Sequence, residues 1–336
     1  MGRLKWRELY MPWLLSEDDL RPLFQGANFY PELFRVIEDS LLHQREDSPG
    51  VVSWLAFPTS REGQEINLHL LSSPEEGTSM RVFPHRVGEQ AKDSMFTLLF
   101  DESDGHLLAL ISLDELGPLR TSAPVAFAAR LLAPANARTL AVIGSGLQAH
   151  YHVQGLRSAL PDLERIVIFS PTPENRQRFA SELRAESGLA VETVESAREA
   201  VREAEVVAVT AGREPGFTVE DIRPGALITN IITWGMPRAL YQRARLVAPS
   251  RSGPVHHASG WDPFPFKLNG GRDPSQFVTT LDDILRGQGK AREREDEIVL
   301  YEQSGSFAWD GAMTRMAYDW ARTHSVGTQF AISSAR

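Results

Sequence analysis

The stretch TLAVIGSGLQAHYHVQG, residues 139–155, constrains this chain more than any other. An apolar, partly β-branched run (140–143) stops at Gly144-Ser145-Gly146, and an apolar-periodic segment begins near Leu147. That order reads as strand, tight turn, helix. The pattern then repeats with strand-like runs at 164–170, 189–194, 205–211, 226–232 and 244–250. Between them, 173–187 reads as a helix opened by Pro173, and 196–204 as one capped by Ser196. Continuous Val/Ile/Leu runs alternating with helices predict a parallel sheet covered on both faces, an α/β architecture of Rossmann type.

Gly144, Gly146 and Ala149 fit Gly-x-Gly-x-x-Gly/Ala. The first glycine permits the turn, the second lets backbone approach a pyrophosphate, and the small third residue lets helix pack on strand. A structural turn in any α/β protein can imitate three small residues. The flanking strand, helix and further βα units favour a nicotinamide dinucleotide. The second strand ends in IFSPTPENR, with Ser170, Thr172 and Arg176 and no acid before Glu174. An acid there binds the ribose 2′-hydroxyl of NAD, whereas small polar groups and Arg suit a 2′-phosphate. NADP(H) is therefore favoured over NAD(H), although Arg176 also suits a solvated helix face.

The first 120 residues have another texture. Strand-like segments at 50–58, 65–73, 79–87, 94–102 and 106–116 are separated by Gly, Ser, Pro and acidic turns, and 119–133 reads as a helix leading into the nucleotide region. The segment 309–324 has the spacing of a helix with one buried face, and the charged run 284–297 reads as solvated. With 336 residues the chain is long enough for two domains.

A net charge of −9 without a basic block argues against nucleic-acid or anionic-membrane partners. The absence of cysteine removes disulfides, thiolate catalysis and Cys-based zinc sites, and fits a reducing cytoplasm. His256 and His257 are adjacent and lie in no metal-ligand pattern, so no metal site is expected.

Residues 116–149, LGPLRTSAPVAFAARLLAPANARTLAVIGSGLQA, resemble the ornithine cyclodeaminase and mu-crystallin family. Arg120, Thr121, Ala123, Gly144, Gly146, Gln148 and Ala149 carry the match, and Gly305 and Asp310 extend it into the C-terminal helix. The resemblance implies a substrate-binding and dimerisation domain of α+β type (1–120 and 305–336), a nucleotide domain (121–304), a homodimer and a small carboxylate-bearing imine substrate. It implies that Arg120 holds the carboxylate, with Arg61 as a second arginine. Cofactor contacts are expected from Thr121, Gly144, Ser145, Gly146, Leu147, Gln148, Ser170, Thr172, Arg176 and Thr210.

Two departures from the family pattern bear on the chemistry. Arg81 stands where cyclodeaminases carry lysine, and Thr233-Trp234 where they carry aspartate. An arginine is a poor base and an indole has no proton chemistry to offer. Hydride transfer to a C=N carbon asks less, because the nicotinamide supplies the chemistry. Arg81 and His85 are the candidates for proton handling, His85 ahead of His256 and His257, and Trp234 for a substrate-facing wall. The sequence thus reads as a divergent reductase of imines or ketimines, or an amino-acid dehydrogenase, of specialised biosynthesis. A cyclodeaminase with substituted groups and a non-catalytic NADPH-dependent binder remain as alternatives.

Overall fold

Buried Val/Ile/Leu runs and alternating half-buried runs give two different sheets. The computed structural model describes residues 11–43, 53–60, 62, 64–73, 76–86, 95–210, 215–231, 236–249, 278–303 and 308–332. Along the chain they form β1 (Trp13–Leu15), α1 (Glu17–Phe24), α2 (Phe29–His43), β2 (Ser53–Pro58), β3 (Gln64–Ser73), β4 (Gly77–Arg86), β5 (Phe96–Phe100), β6 (Leu107–Ser112) and α3 (Leu116–Leu132). Next come β7 (Thr139–Ile143), α4 (Leu147–Ala159), β8 (Arg165–Phe169), α5 (Pro173–Ser187), β9 (Ala190–Thr193), α6 (Ala197–Val201) and β10 (Val206–Val209). The remainder is β11 (Leu227–Asn230), α7 (Arg238–Arg243), β12 (Arg245–Ala248), β13 (Thr279–Thr280), α8 (Leu281–Leu285), β14 (Val299–Glu302), α9 (Ala308–His324) and β15 (Thr328–Gln329). Two compact units result, Met1–Arg120 with Phe307–Arg336, and Thr121–Ser306.

In the first unit the strand order is β15-β1-β6-β5-β4-β3-β2. All pairings are antiparallel except β1 with β6. One face carries the buried Asn67, Leu71, Ser79, Arg81, Thr97 and Leu99, and α9 packs on these strands. The helix fits because Trp309, Met313, Ala317 and Ala321 recur at four-residue spacing and are all buried. It also packs against α2, which buries Leu33, Phe34, Ile37 and Leu41. The N-terminal helices are a correction to the strand-dominated reading of the first 120 residues. Ser16 caps α1 in a reciprocal box with Asp19, at 2.9 and 3.3 Å, a local signal that was present in the sequence.

Gly311 lets α9 lie close to β3. A Cβ there would stand 2.7 Å from Leu71 Cδ2 and 2.8 Å from a Glu76 carboxylate oxygen. Both are ends of side chains that can move, and alanine gains about 1 kcal/mol of helix propensity over glycine, so Gly311→Ala is expected to shift the thermal-unfolding midpoint little; a large drop would show that Leu71 cannot give way.

The second unit is an all-parallel sheet, β13-β12-β14-β11-β10-β7-β8-β9. β7, β10 and β11 are buried nearly throughout, as their unbroken apolar sequences require. From β9 to β14 the order is the doubly wound 3-2-1-4-5-6, with the switch between β7 and β10. The six strands read from the sequence here become eight. The short run at 299–302, directly after a charged segment, inserts between β11 and β12. That charged segment is not wholly solvated either. Arg292 reaches the carbonyl oxygens of Gly225 and Leu132, at 2.8 and 2.5 Å, and anchors it to the unit. Among the described residues no helix is long and apolar enough to cross a membrane.

Candidate dinucleotide turn and carboxylate pocket

In the second unit, β7 ends at a turn built for close approach. Gly144 has φ 126°, a conformation L side chains rarely adopt, and its N–H donates to Phe169 O at 2.8 Å. Gly146 differs: with φ −92° and ψ −172° it is in ordinary extended backbone, and a Cβ on it would meet nothing within 4 Å. The chain itself does not require glycine there. Among the described residues nothing crowds Gly146, which suits close approach of a pyrophosphate to the N-terminus of α4, where the first helical N–H groups are unsatisfied and the dipole favours an anion. Gln148 adds a buried side-chain oxygen with no hydrogen-bond partner among the described residues. These features fit a dinucleotide, which the backbone of 144–148 would hold.

The other residues expected at this site divide. Leu147 is 64% exposed at the first position of α4. The Ser145 hydroxyl donates to Ser170 Oγ at 2.9 Å, joining the turn to the end of β8. Thr172 caps α5 without spending its side chain on the cap. Thr121 is half-buried on α3. Thr210 gives both its N–H and its hydroxyl to Ile143 O, at 2.9 and 3.1 Å, so it ties β10 to β7. His152 donates from Nδ1 to Gln148 O at 2.7 Å, and burial pushes it down to about 4, keeping the ring neutral.

Arg176 is neither a solvated side chain nor an open cation. Its guanidinium is buried, donating to Ser170 O at 2.8 Å and to Glu195 Oε1 at 2.7 Å. Its charge is already balanced from the end of β9, a pairing that the local sequence does not announce.

In the first unit, Arg81, Arg120 and Asp310 meet. Arg81 Nη1 donates to Asp310 Oδ2 at 2.8 Å, and Arg120 Nη1 lies 3.5 Å from the same oxygen. Asp310 Oδ1 is buried with no hydrogen-bond partner among the described residues. His69, directly opposite Arg81 in the β3–β4 register, receives Arg81 Nη2 at Nδ1. A guanidinium has no acceptor, so His69 Nδ1 is the accepting atom of this contact. Leu71, Leu113, Leu116 and Met313 help line the pocket, whose free space is about 20 Å³, room for one water.

The two arginines differ in commitment. Arg81 is buried and engaged by both Asp310 and His69. Burial and the neighbouring Arg120 push it down to about 9, against the pull of Asp310, so it stays a cation at neutral pH. Arg120 is 30% exposed and makes only the long 3.5 Å contact among the ion pairs of the described residues. Its remaining N–H groups form a fork of the kind that takes a carboxylate.

His85 lies on β4 opposite Glu65, with its side chain outside the described residues. Arg61, Thr233, Trp234, His256 and His257 also lie outside them. Asp310 and His69 were not read as site residues. Asp310 matched the family pattern, but its pairing with Arg81 spans 229 positions and has no local signal. Among the described residues no cluster of His, Asp and Glu could hold a metal ion.

The doubly wound sheet and its glycine turn define a dinucleotide-binding α/β protein. The chain belongs to the ornithine cyclodeaminase/mu-crystallin family, whose profile matches residues 82–325. It is 25% identical over 237 residues to Delta(1)-pyrroline-2-carboxylate reductase of Bacillus cereus, covering 69% of this chain and 72% of that one. To ketimine reductase mu-crystallin of Mus musculus it is 33% identical over 135 residues, 40% and 42% of the two chains. The solved structure of Thermococcus litoralis Delta(1)-pyrroline-2-carboxylate reductase in complex with NADH and L-proline superposes with TM-score 0.82 at 25% identity, covering 95% of this chain and all of that one.

Proposed function

We propose that this protein is an NAD(P)H-dependent oxidoreductase that reduces the C=N bond of a small carboxylate-bearing imine, or runs that reaction in reverse. The observation that carries the reading is Arg120, a partly exposed guanidinium beside the Arg81–Asp310 pair, with donors left for a ligand carboxylate. The relatives named as reductases of Delta(1)-pyrroline-2-carboxylate and of ketimines support it. In this reading Arg120 anchors the carboxylate and Arg81 positions Asp310. Arg61, Trp234, His85 and Thr121 stay as candidates on sequence grounds. When bound, the nicotinamide supplies the hydride. The test is loss of reduced-cofactor absorbance on adding Delta(1)-pyrroline-2-carboxylate. Reduction consumes cofactor one for one, whereas a cyclodeaminase releases ammonia from ornithine without net consumption.

NADP(H) remains the favoured cofactor on the absence of an acid at the end of β8 and on the Ser170 and Thr172 hydroxyls. The charge balance of Arg176 by Glu195 weakens that preference, so paired titrations with NADPH and NADH decide it. The cysteine-free sequence supports a reducing cytoplasmic setting.

A homodimer belongs to the same reading. The face of β2 and β3 opposite Arg81 exposes Leu55 (44%), Phe57 (50%) and Ile66 (42%), with Phe57 and Ile66 directly paired across the strands. Such a patch on an antiparallel sheet suits a second copy of the same face. Phe57→Glu combined with Ile66→Lys is expected to halve the mass measured by light scattering; a wild-type mass that already equals one chain would remove the dimer.

A further inference from the structure

Glu302 is a fully buried carboxyl at the C-terminal end of β14, opposite Asn230 at the end of β11. Asn230 Nδ2 donates to both of its oxygens at 3.0 Å, and Tyr241 of α7 donates its hydroxyl to Oε1 at 2.8 Å. Three donor contacts and no cation within ion-pair distance among the described residues leave this carboxyl held by neutral groups alone. Ionising it in the core is costly, so burial favours its protonated form and its charge becomes responsive to pH and to what lies beside it.

Its position suggests what that is. In a doubly wound sheet the dinucleotide lies across the C-terminal ends of the strands, one mononucleotide on each side of the switch point. The adenosine half belongs to β7–β9, where the glycine turn sits, so the nicotinamide half belongs to β10, β11 and β14. Glu302 and Asn230 end the last two of these strands. The nicotinamide ring is cationic when oxidised and neutral when reduced, so a nearby buried carboxylate attracts one redox form and not the other.

We infer that Glu302, held by Asn230 and Tyr241, sets the preference of this protein between the oxidised and reduced forms of its nicotinamide cofactor. The inference rests on the dinucleotide reading of the glycine turn. Ionised Glu302 favours the oxidised ring; protonated Glu302 removes that advantage and favours the reduced ring that a reductase must bind. Burial holds the carboxyl up to about 8 against the pull of its Asn230 and Tyr241 hydrogen bonds, within reach of ordinary working pH.

Among the described residues, the neighbouring titratable groups are engaged otherwise. Tyr241 is itself pushed well above the usual phenol range by burial and by Glu302. Tyr301 on the same strand donates to Gln303 at 2.9 Å. On the neighbouring β12, Arg245 faces Val299 at the opposite end of β14, and Arg243 of α7 pairs with Glu220 at 2.6 Å. His152, down at about 4, does not titrate in the same range.

The test is binding rather than turnover. Dissociation constants for NAD+ and NADH, and for NADP+ and NADPH, are measured by tryptophan fluorescence with the whole protein at roughly pH 6 and roughly pH 9.5. The adenosine half is common to both redox forms, so its titration cancels in the ratio. Wild-type protein is expected to shift the ratio toward the oxidised form by on the order of tenfold at the higher pH, and Glu302→Gln to abolish the shift. Tyr241→Phe, which removes one donor to the carboxylate, is expected to move the midpoint of the shift to higher pH, and serves if the glutamine variant folds poorly. A pH-independent wild-type ratio, or an undiminished shift in Glu302→Gln, overturns the inference while leaving the dinucleotide site intact. Failure to bind either redox form overturns the site and the inference together.

Discussion

Asp310→Ala is expected to lower the stability of the first unit by about 3–5 kcal/mol, the range for removing one partner of a buried ion pair. Arg81 is 8% exposed at its side chain and Asp310 is 13%, so water replaces little of the lost contact. Without the carboxylate, Arg81 keeps the burial penalty and the repulsion from Arg120 but loses the one charge that favours its cationic form. At roughly 2–4 °C per kcal/mol the midpoint of thermal unfolding falls by about 10 °C. Asp310→Asn is expected to fall less far, since an amide oxygen still accepts from Arg81. Equal midpoints for wild type and the alanine variant would mean that the pair is dispensable.

Arg120→Ala is expected to behave in the opposite way, with a small change in stability and a large one in function. The residue is 30% exposed, and its contact with Asp310 is 3.5 Å, longer than a hydrogen bond. Its removal therefore leaves Arg81 and Asp310 paired. A carboxylate that loses its guanidinium partner forfeits about 2–5 kcal/mol, which lowers kcat/KM for the imino acid by about thirtyfold to a few thousandfold. Arg120→Lys keeps the charge but loses the planar fork, and is expected to recover only part of that loss. Cofactor affinity, measured in parallel, is expected to stay unchanged. An Arg120→Ala enzyme with wild-type KM and kcat would place the carboxylate elsewhere.

What could be read from the sequence follows the range of the interactions. The strand-turn-helix at Gly144 and Gly146, the helix opened by Pro173 and the Ser196 cap, which accepts from Glu199 N–H at 3.1 Å, depend on neighbours a few residues away. Periodicity and cap chemistry therefore sufficed. The helices Glu17–Phe24 and Phe29–His43 carried the same kinds of signal but were masked by the strand-like texture that follows them. β14 is not legible in the sequence because three apolar residues and Glu302 after a charged run give too short a pattern to recognise.

The site was legible only in part. Arg120 and the glycines lie within one continuous stretch, whereas Asp310 meets Arg81 only after the chain has built the second unit and returned. Arg176 shows the converse. Its sequence position suited a phosphate, but a partner 19 residues away at the end of another strand took its charge.

The most direct test of the central claim is to mix the purified protein with NADPH or NADH and then add Delta(1)-pyrroline-2-carboxylate while following the absorbance of the reduced cofactor. One cofactor oxidised for each imine reduced, faster with one of the two nucleotides, is the expected result. Ammonia release from ornithine without net cofactor consumption, or saturable cofactor binding with no turnover across a panel of imino acids, would contradict a reductase.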